Sequence, residues 1–240
     1  MPKFFEYEIN DNFETYLITG ENSRHISRSL RMTKGEKITL TDGKGKDYFC
    51  EIVNLTDSSV EVKILNSEQS ISEAKLKLNL YQGIPKSDKM ELIIQKFTEL
   101  GGYSITPTKT DFCVSDISGK EEKKISRWQK IAQEASMQSG RAYIPEIKSV
   151  EKFKSAVENA PGVKILLYEG GGIALNEFIN RETEEVSIFV GPEGGFSEKE
   201  VNLAKEHGAH IVTLGKRILR TETAPLAAAS IIMYETGNME

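Results

Sequence analysis

Two strand-to-loop-to-helix units follow each other near the carboxyl terminus, and they constrain the fold more than any other feature of the sequence. In the first unit, the apolar run at residues 186–190 predicts a buried strand that leads into a glycine-rich loop at residues 191–196. Ser197 and Glu200 have the spacing of a capping box, whose side chains satisfy the free amides of a helix start. We therefore predict a helix here. Gly208 is placed to end it, because glycine adopts the left-handed backbone conformation at little cost.

The second unit repeats this pattern. Residues 209–214 are strand-like, residues 215–224 form a second loop, and Pro225 opens an alanine-rich helical run. Such loops at the carboxyl ends of neighbouring parallel strands are a common place for a small ligand. One glycine-rich loop is explained by a simple turn, but two in tandem, each with ionic residues, favour a ligand site. Neither loop has a phosphate-binding or complete dinucleotide-binding motif, which argues against a nucleoside triphosphate or NAD.

Upstream of these units, strand-like and helical patterns alternate. They occupy residues 76–80, 87–100, 103–106, 121–139 and 163–168. This alternation predicts an α/β domain with a parallel sheet covered on both faces. Residues 66–73 are polar and without periodicity, so we place a domain boundary there. The predicted domains are residues 1–70 and 74–240.

The first domain is predicted to be rich in β structure. Residues 36–41 and 48–55 alternate in polarity on either side of Asp42-Gly43, which is a strong hairpin signal. Residues 60–65 add a further alternating strand. A small β-barrel is the economical fold for these strands, because closure removes exposed sheet edges.

A short basic helix is predicted at residues 22–32, with Ile26 and Leu30 facing inward. Its outward-facing side chains are expected to be Arg24, His25, Arg28 and Arg31. From Glu21 to Tyr48 there are seven lysines and arginines against four acidic residues. This segment is either an ordinary solvated basic surface or a contact for RNA phosphates.

The composition limits the remaining functional classes. The net charge of −5 gives no global attraction for nucleic acid, so RNA contacts must come from local basic patches. No apolar stretch approaches about 18 residues and the amino terminus lacks a signal-peptide pattern, so we expect a cytoplasmic protein. Cys50 and Cys113 lie far apart and only three histidines are present, which predicts neither a disulfide framework nor a metal site.

At the two loops, the sequence resembles a known family. Residues 191–196 (Gly-Pro-Glu-Gly-Gly-Phe) and 214–224 (Leu-Gly-Lys-Arg-Ile-Leu-Arg-Thr-Glu-Thr-Ala) resemble the signature loops of RsmE-type enzymes. These are SPOUT-class methyltransferases that methylate N3 of a uridine in 16S ribosomal RNA. The resemblance implies S-adenosyl-L-methionine as cofactor, a PUA-like RNA-binding barrel at residues 1–70, and a SPOUT domain with a trefoil knot at residues 74–240. It also implies a homodimer that acts on 16S rRNA, either free or in the assembled 30S subunit.

Loop chemistry and resemblance together nominate the site residues. The expected cofactor-binding residues are Leu167, Glu169, Gly191, Pro192, Gly195, Leu214, Gly215, Ile218, Leu219, Thr221, Thr223 and Ala224. The RNA-binding role expected for the basic helix extends to Gln95, Gln138 and Arg141, for which a loop-holding role is the alternative. The chain departs from the family pattern in two places. It has only Lys3 where an arginine is usual near the amino terminus, and Asp111-Phe112 where a Glu-Arg pair is usual.

Methyl transfer mainly requires in-line placement of donor and acceptor. Attack by uridine N3 also requires loss of its proton and stabilisation of the charge that spreads to the flanking carbonyls. Arg220 is the leading candidate for stabilising this charge, while Glu193 or Glu222 accepts the proton or orients Arg220. The structural alternative is an Arg220–Glu222 ion pair that only braces the loop. The alternative functions are methylation of tRNA and a non-catalytic, ribosome-associated RNA-binding role.

Overall fold

The chain folds into two compact units. The computed structural model describes residues 1–56, 58–115 and 117–239. One unit contains residues 1–73 together with 136–144, and the other contains residues 74–135 and 145–240. The sequence places residues 136–144 in the second domain, whereas the structure groups them with the first unit.

The first unit is built on a five-stranded sheet. Its strands are β1 (Lys3–Phe5), β2 (Thr15–Thr19), β3 (Lys37–Thr41), β4 (Lys46–Leu55) and β5 (Ser59–Gln69). The order is β1-β3-β4-β5-β2, in which β1 and β3 are parallel and the other pairs antiparallel. The predicted hairpin turn follows β3, where Asp42 Oδ1 accepts hydrogen bonds from the amides of Lys44 (2.8 Å) and Lys46 (3.1 Å). The strands β1 and β2, which a closed barrel would pair, lie at the two ends of this order.

The basic helix is shorter and less regular than the sequence predicts. An α-helix, α1 (Gly20–Arg24), passes into a π-helical turn, His25–Ser29, that ends with a bond from the Leu30 amide to the His25 carbonyl. Ile26 is fully buried as predicted, but Leu30 is 43% exposed, so its predicted inward orientation is wrong. The reason is geometric: a wider π turn rotates Leu30 away from the face that Ile26 occupies.

Residues 136–144 are fastened to the first unit by a buried ion pair. Arg141 Nη2 lies 2.7 Å from Glu73 Oε2, and Glu73 Oε1 accepts hydrogen bonds from the amides of Ala142 (2.7 Å) and Tyr143 (3.1 Å). Arg141 is only 4% exposed. These contacts favour the loop-holding alternative for Arg141 over an RNA contact. Lys3 is also occupied within this unit, since its Nζ lies 2.9 Å from Asp47.

The second unit contains a parallel sheet of seven strands. They are β6 (Lys77–Gly83), β7 (Ser104–Lys109), β8 (Glu146–Ile147), β9 (Glu151–Lys152), β10 (Val163–Leu167), β11 (Glu185–Val190) and β12 (His210–Val212). Six follow the order β12-β10-β11-β6-β7-β8, while β9 pairs with β7, and every recorded pair is parallel. The predicted α/β class with a parallel sheet is confirmed. Parallel strands end at a common edge, so the loops after β10, β11 and β12 lie together.

Five α-helices of the described residues accompany this sheet. They are α2 (Lys89–Glu99), α3 (Glu121–Gln138), α4 (Phe153–Asn159), α5 (Glu198–Glu206) and α6 (Ala224–Glu235). The capping box of α5 is present, because Ser197 Oγ accepts from the Glu200 amide and the Glu200 carboxylate accepts from the Ser197 amide. Gly208 follows this helix with φ +79°, as predicted. No helix within the described ranges combines the length and apolarity needed to cross a membrane.

Candidate active site

A cavity of about 520 Å³ opens where the loops after β10, β11 and β12 meet. Its lining residues are Lys89, Leu167, Tyr168, Glu169, Val190, Gly191, Pro192, Glu193, Gly195, Val212, Thr213, Leu214, Gly215, Lys216, Arg217, Ile218, Leu219, Arg220, Thr221 and Ala224. The volume lies in the range of about 300 to 1,000 Å³ that is usual for small-molecule sites. The two predicted loops therefore share one cavity.

The first loop is packed backbone against backbone, which requires glycine. A Cβ built on Gly191 would lie 2.8 Å from the carbonyl carbon of Gly195, closer than real Cβ contacts. Gly195 has φ +69°, and its amide donates to the Pro192 carbonyl at 2.9 Å. The loop also packs closely against the end of β6, where a Cβ on Gly83 would lie 2.6 Å from the Pro192 ring. The glycines thus permit a compact turn against β6.

Buried hydrogen bonds join the second loop to the first. Thr221 Oγ1 donates to the Gly191 carbonyl at 2.7 Å, and Gln82 Nε2 donates to Thr221 Oγ1 at 3.0 Å. All three residues are buried. Such bonds are costly to break, because a buried polar group left without a partner lowers the stability of the fold by about 1–3 kcal/mol. This contact fixes the distance between the two loops where they line the cavity.

The second loop also presents backbone groups that are free to bind a ligand. Within the described ranges, the amides of Leu214, Ile218 and Leu219 have no hydrogen-bond acceptor in the protein. Gly215 has φ +104°, which lets the backbone turn at this point. Ile218 is 82% exposed and lines the cavity, so it offers an apolar surface to a molecule bound there.

A charged cluster lies at the edge of the cavity. Lys89 Nζ is 3.0 Å from Glu193 Oε1 and 3.2 Å from Glu222 Oε2, so one ammonium group bridges both loops. Arg220 Nη1 is 4.0 Å from Glu222 Oε1, and the Arg220 side chain is 83% exposed. An exposed pair at this distance holds its partners weakly. Arg220 is therefore free to reach toward a molecule in the cavity.

Glu193 is held as an anion. Burial alone would raise the pKa of its carboxyl, but hydrogen bonds from its own amide and from Lys89 and Lys86 outweigh burial and lower that pKa. The Lys86 amide lies 3.2 Å from Glu193 Oε1. In return, Glu193 is the largest cause of the raised pKa of Lys89. A carboxylate fixed in this way suits an orienting role better than uptake of a proton.

The structure brings most of the predicted cofactor and catalytic residues together. Among them, only Thr223 and Glu222 do not line the cavity; Thr223 is exposed, and its amide donates to the Arg220 carbonyl at 2.8 Å. The predicted RNA-binding side chains at the surface are Arg24, His25, Arg28, Arg31, Gln95 and Gln138. Sequence reasoning missed Lys89 and Gln82. No motif identifies Lys89, because a lysine in the first turn of a helix is usually solvated.

Family models match both units of this fold. Residues 72–233 match an RNA methyltransferase domain, and residues 18–65 match an RNA methyltransferase PUA domain. The parallel sheet, the cavity at its carboxyl edge and these two matches define the class of protein as an RNA methyltransferase with an amino-terminal PUA domain.

Individual relatives narrow this class. Ribosomal RNA small subunit methyltransferase E of Bacillus subtilis is 34% identical over 232 residues, covering 92% of this chain and 91% of its own. The protein of that name from Mesomycoplasma hyopneumoniae is 31% identical, covering 94% and 96%. The Neisseria gonorrhoeae enzyme of that name, solved with bound S-adenosyl methionine, is 34% identical with a TM-score of 0.86, covering 98% and 97%. The chain belongs to the ribosomal RNA small subunit methyltransferase E family.

The close packing at Gly191 predicts a difference between two neighbouring glycines. An alanine Cβ at Gly191 meets the Gly195 backbone, whereas one at Gly194 meets the side chain of the exposed Phe112, at 2.8 Å in each case. We expect Gly191→Ala to lower the free energy of unfolding by about 1–3 kcal/mol, as overpacking does. Gly194→Ala should cost less, because Gly194 and Phe112 both lie in exposed turns whose backbone can shift to relieve the contact with the Phe112 Cβ. Denaturant unfolding measures both, and equal losses would contradict the packing argument.

Proposed function

We propose that this protein transfers a methyl group from S-adenosyl-L-methionine to N3 of a uridine in 16S ribosomal RNA of the small subunit. The observation that carries the proposal is the single cavity formed by the loops after β10, β11 and β12. Relatives named as ribosomal RNA small subunit methyltransferases, and two similar structures from Neisseria gonorrhoeae and Legionella pneumophila solved with the cofactor, support it.

The cavity fits this cofactor in three respects. Its volume of about 520 Å³ accommodates a nucleoside with an amino-acid side arm. The free amides of Leu214, Ile218 and Leu219 offer hydrogen bonds to the edge of an adenine. The exposed Ile218 side chain offers an apolar face, and the Glu169 carboxylate, which lines the same cavity, offers acceptors for ribose hydroxyl groups.

Arg220 stabilises the charge of the reacting uridine in this proposal. When bound, the cofactor would supply a methyl group carried on a positively charged sulfur. The sulfur keeps the electron pair of the carbon–sulfur bond when that bond breaks. Uridine N3 loses its proton before its lone pair forms the new bond, and the resulting negative charge spreads over the two neighbouring carbonyl oxygens. The exposed guanidinium of Arg220 lines the cavity and can donate to such an oxygen.

Glu222 is the proton acceptor that we propose. Lys89 pairs with both carboxylates, but Glu193 is also engaged by the Lys86 amide, and its pKa is lowered. The Oε1 of Glu222 faces Arg220 and is the carboxylate oxygen nearest to that guanidinium. A base beside the group that stabilises the developing charge needs little movement to act.

The experiment that tests the proposed function is a comparison of modified nucleosides by mass spectrometry. Cells that lack the gene are expected to lose N3-methyluridine from 16S rRNA, and the purified protein with the cofactor should restore it to 30S subunits from those cells. Unchanged 16S rRNA with altered tRNA nucleosides would favour a tRNA methyltransferase. Absence of any change, with no saturable heat when the cofactor is titrated, would favour a non-catalytic RNA-binding protein.

Arg220→Ala is expected to lower the rate of methylation by a factor of at least about 100, as the removal of a charge-stabilising donor does. Binding of the cofactor, measured by calorimetry, should stay within a few fold, because the exposed side chain contributes little to the loop. Arg217→Ala, which changes a neighbouring cation in the same loop, is the matched comparison. Unchanged turnover in Arg220→Ala would remove Arg220 from the mechanism.

The exposed arginines of the first unit bind RNA phosphates in this proposal. The match to an RNA methyltransferase PUA domain supports this role, and Arg24, Arg28 and Arg31 are all exposed. Arg24→Glu/Arg28→Glu is expected to weaken binding to 16S rRNA by about tenfold or more at low salt and to reduce its salt dependence. Lys63→Glu/Lys75→Glu, two exposed changes outside the basic helix, lowers the net charge by the same amount and is the control. Equal effects of both variants would contradict a localised contact.

Four further properties belong to this proposal. A ribosomal substrate requires a cytoplasmic location. We also propose a homodimer, so light scattering of the purified protein should find two chains per particle. The trefoil knot that we propose would thread the second loop past the first, and the buried Thr221–Gly191 bond brings these two loops into contact. An experimentally determined chain trace would show whether the knot is present. Methyl transfer from a sulfonium to a deprotonated nitrogen needs no metal ion, and we propose none.

A further inference from the structure

Lys89 connects three segments of the second unit at the edge of the cavity. It is the first residue of α2, and its Nζ lies 3.0 Å from Glu193 in the first loop and 3.2 Å from Glu222 in the second. Its side chain also lines the cavity. The Lys86 amide, three residues earlier, binds the same Glu193 carboxylate. The start of α2 therefore holds both loops from one side.

The charges of this cluster depend on Lys89. Glu222 Oε2 is shielded from solvent and accepts no hydrogen bond of good geometry, so the nearby ammonium is the charge that compensates it. Arg220 does not replace that ammonium, since it is 4.0 Å from the other carboxylate oxygen and largely in solvent. Without Lys89, two carboxylates would face each other across the loops without a cation between them, and like charges at short range repel.

We propose that Lys89 is a positioning residue for methyl transfer. It fixes Glu222, the proposed proton acceptor, beside Arg220 at the edge of the cavity, while Glu193 anchors Lys89 itself. This inference rests on the proposed function and adds the residue that sets the geometry of its charged groups. A displacement of about 1 Å in such groups can reduce a rate on the order of 100-fold. Binding of the cofactor depends mainly on loop backbone and should change little.

Four single variants, with Glu222→Gln as the fourth, and one double variant test this role. Lys89→Met removes the ammonium and keeps the stem, and Lys89→Arg keeps a cation. Lys96→Met is the matched control, because Lys96 lies on the same helix and, among its described contacts, pairs only with the half-buried Glu99 at 2.8 Å, away from the cavity lining. Lys89→Met/Glu222→Gln tests whether the two side chains act as a unit. The measurements are kcat and KM on 30S subunits, cofactor affinity by calorimetry, and hydrogen exchange of residues 191–197 and 213–223.

For Lys89→Met, we expect kcat to fall by about 10- to 100-fold, with cofactor affinity within about threefold and faster exchange in both loops. Lys89→Arg should recover most of kcat, and the double variant should be no slower than Glu222→Gln alone. Lys96→Met should match the wild type.

The inference is overturned if Lys89→Met behaves as Lys96→Met does, or if the effects of Lys89→Met and Glu222→Gln simply add. Equal loss in Lys89→Arg and Lys89→Met would also overturn it. A wild type that methylates no RNA would defeat the proposed function instead. Hydrogen exchange would then still decide whether Lys89 holds the loops.

Discussion

The contact between two loop backbones, closed by the hydrogen bond from Thr221 to the Gly191 carbonyl, is the constraint on which the site depends. It lies in the interior, where an unpaired polar group is costly, so the two loops cannot separate cheaply. Only glycine at position 191 permits this approach, because any Cβ would overlap the backbone of Gly195. The cavity is the space that this contact leaves between the two loops, and Gly191 and Thr221 are part of its lining.

The parallel sheet explains why this contact can exist. β10 lies between β12 and β11, and β11 also pairs with β6, so four strands end at one edge. Loops from these strands need only a few residues to meet. Gln82, the penultimate residue of β6, reaches Thr221 and ties the sheet to the second loop. The hydrogen-bonded strands thus determine the positions of the loops that follow them.

Charge is organised locally in an acidic protein. The net charge of −5 gives no general attraction for RNA, yet Lys89, Lys216, Arg217 and Arg220 all line one cavity. Glu193 and Glu222 are paired with the first of these and leave the exposed arginine available. A polyanion would therefore meet positive charge at this cavity and at the exposed arginines of α1 and the turn that follows it.

Local signals predicted much of the secondary structure because they act within one turn or one strand. The Ser197–Glu200 capping box, the Asp42 hairpin turn and the alternation of strands and helices all appear in the structure. Leu30 was misplaced because a π turn changes the helical phase, which periodicity assumes to be constant. The strands β8 and β9 are only two residues long, too short for any pattern.

By itself, the sequence determined the α/β class, the two loops and the family they resemble, since these depend on residue type and spacing along the chain. Only the tertiary structure decided which charged side chains meet. Arg141 and Arg220 are chemically alike, yet one is buried against Glu73 and the other is exposed at a cavity. Lys89 gained two carboxylate partners that are 104 and 133 residues distant, because folding, and not spacing, brings those loops to the start of α2.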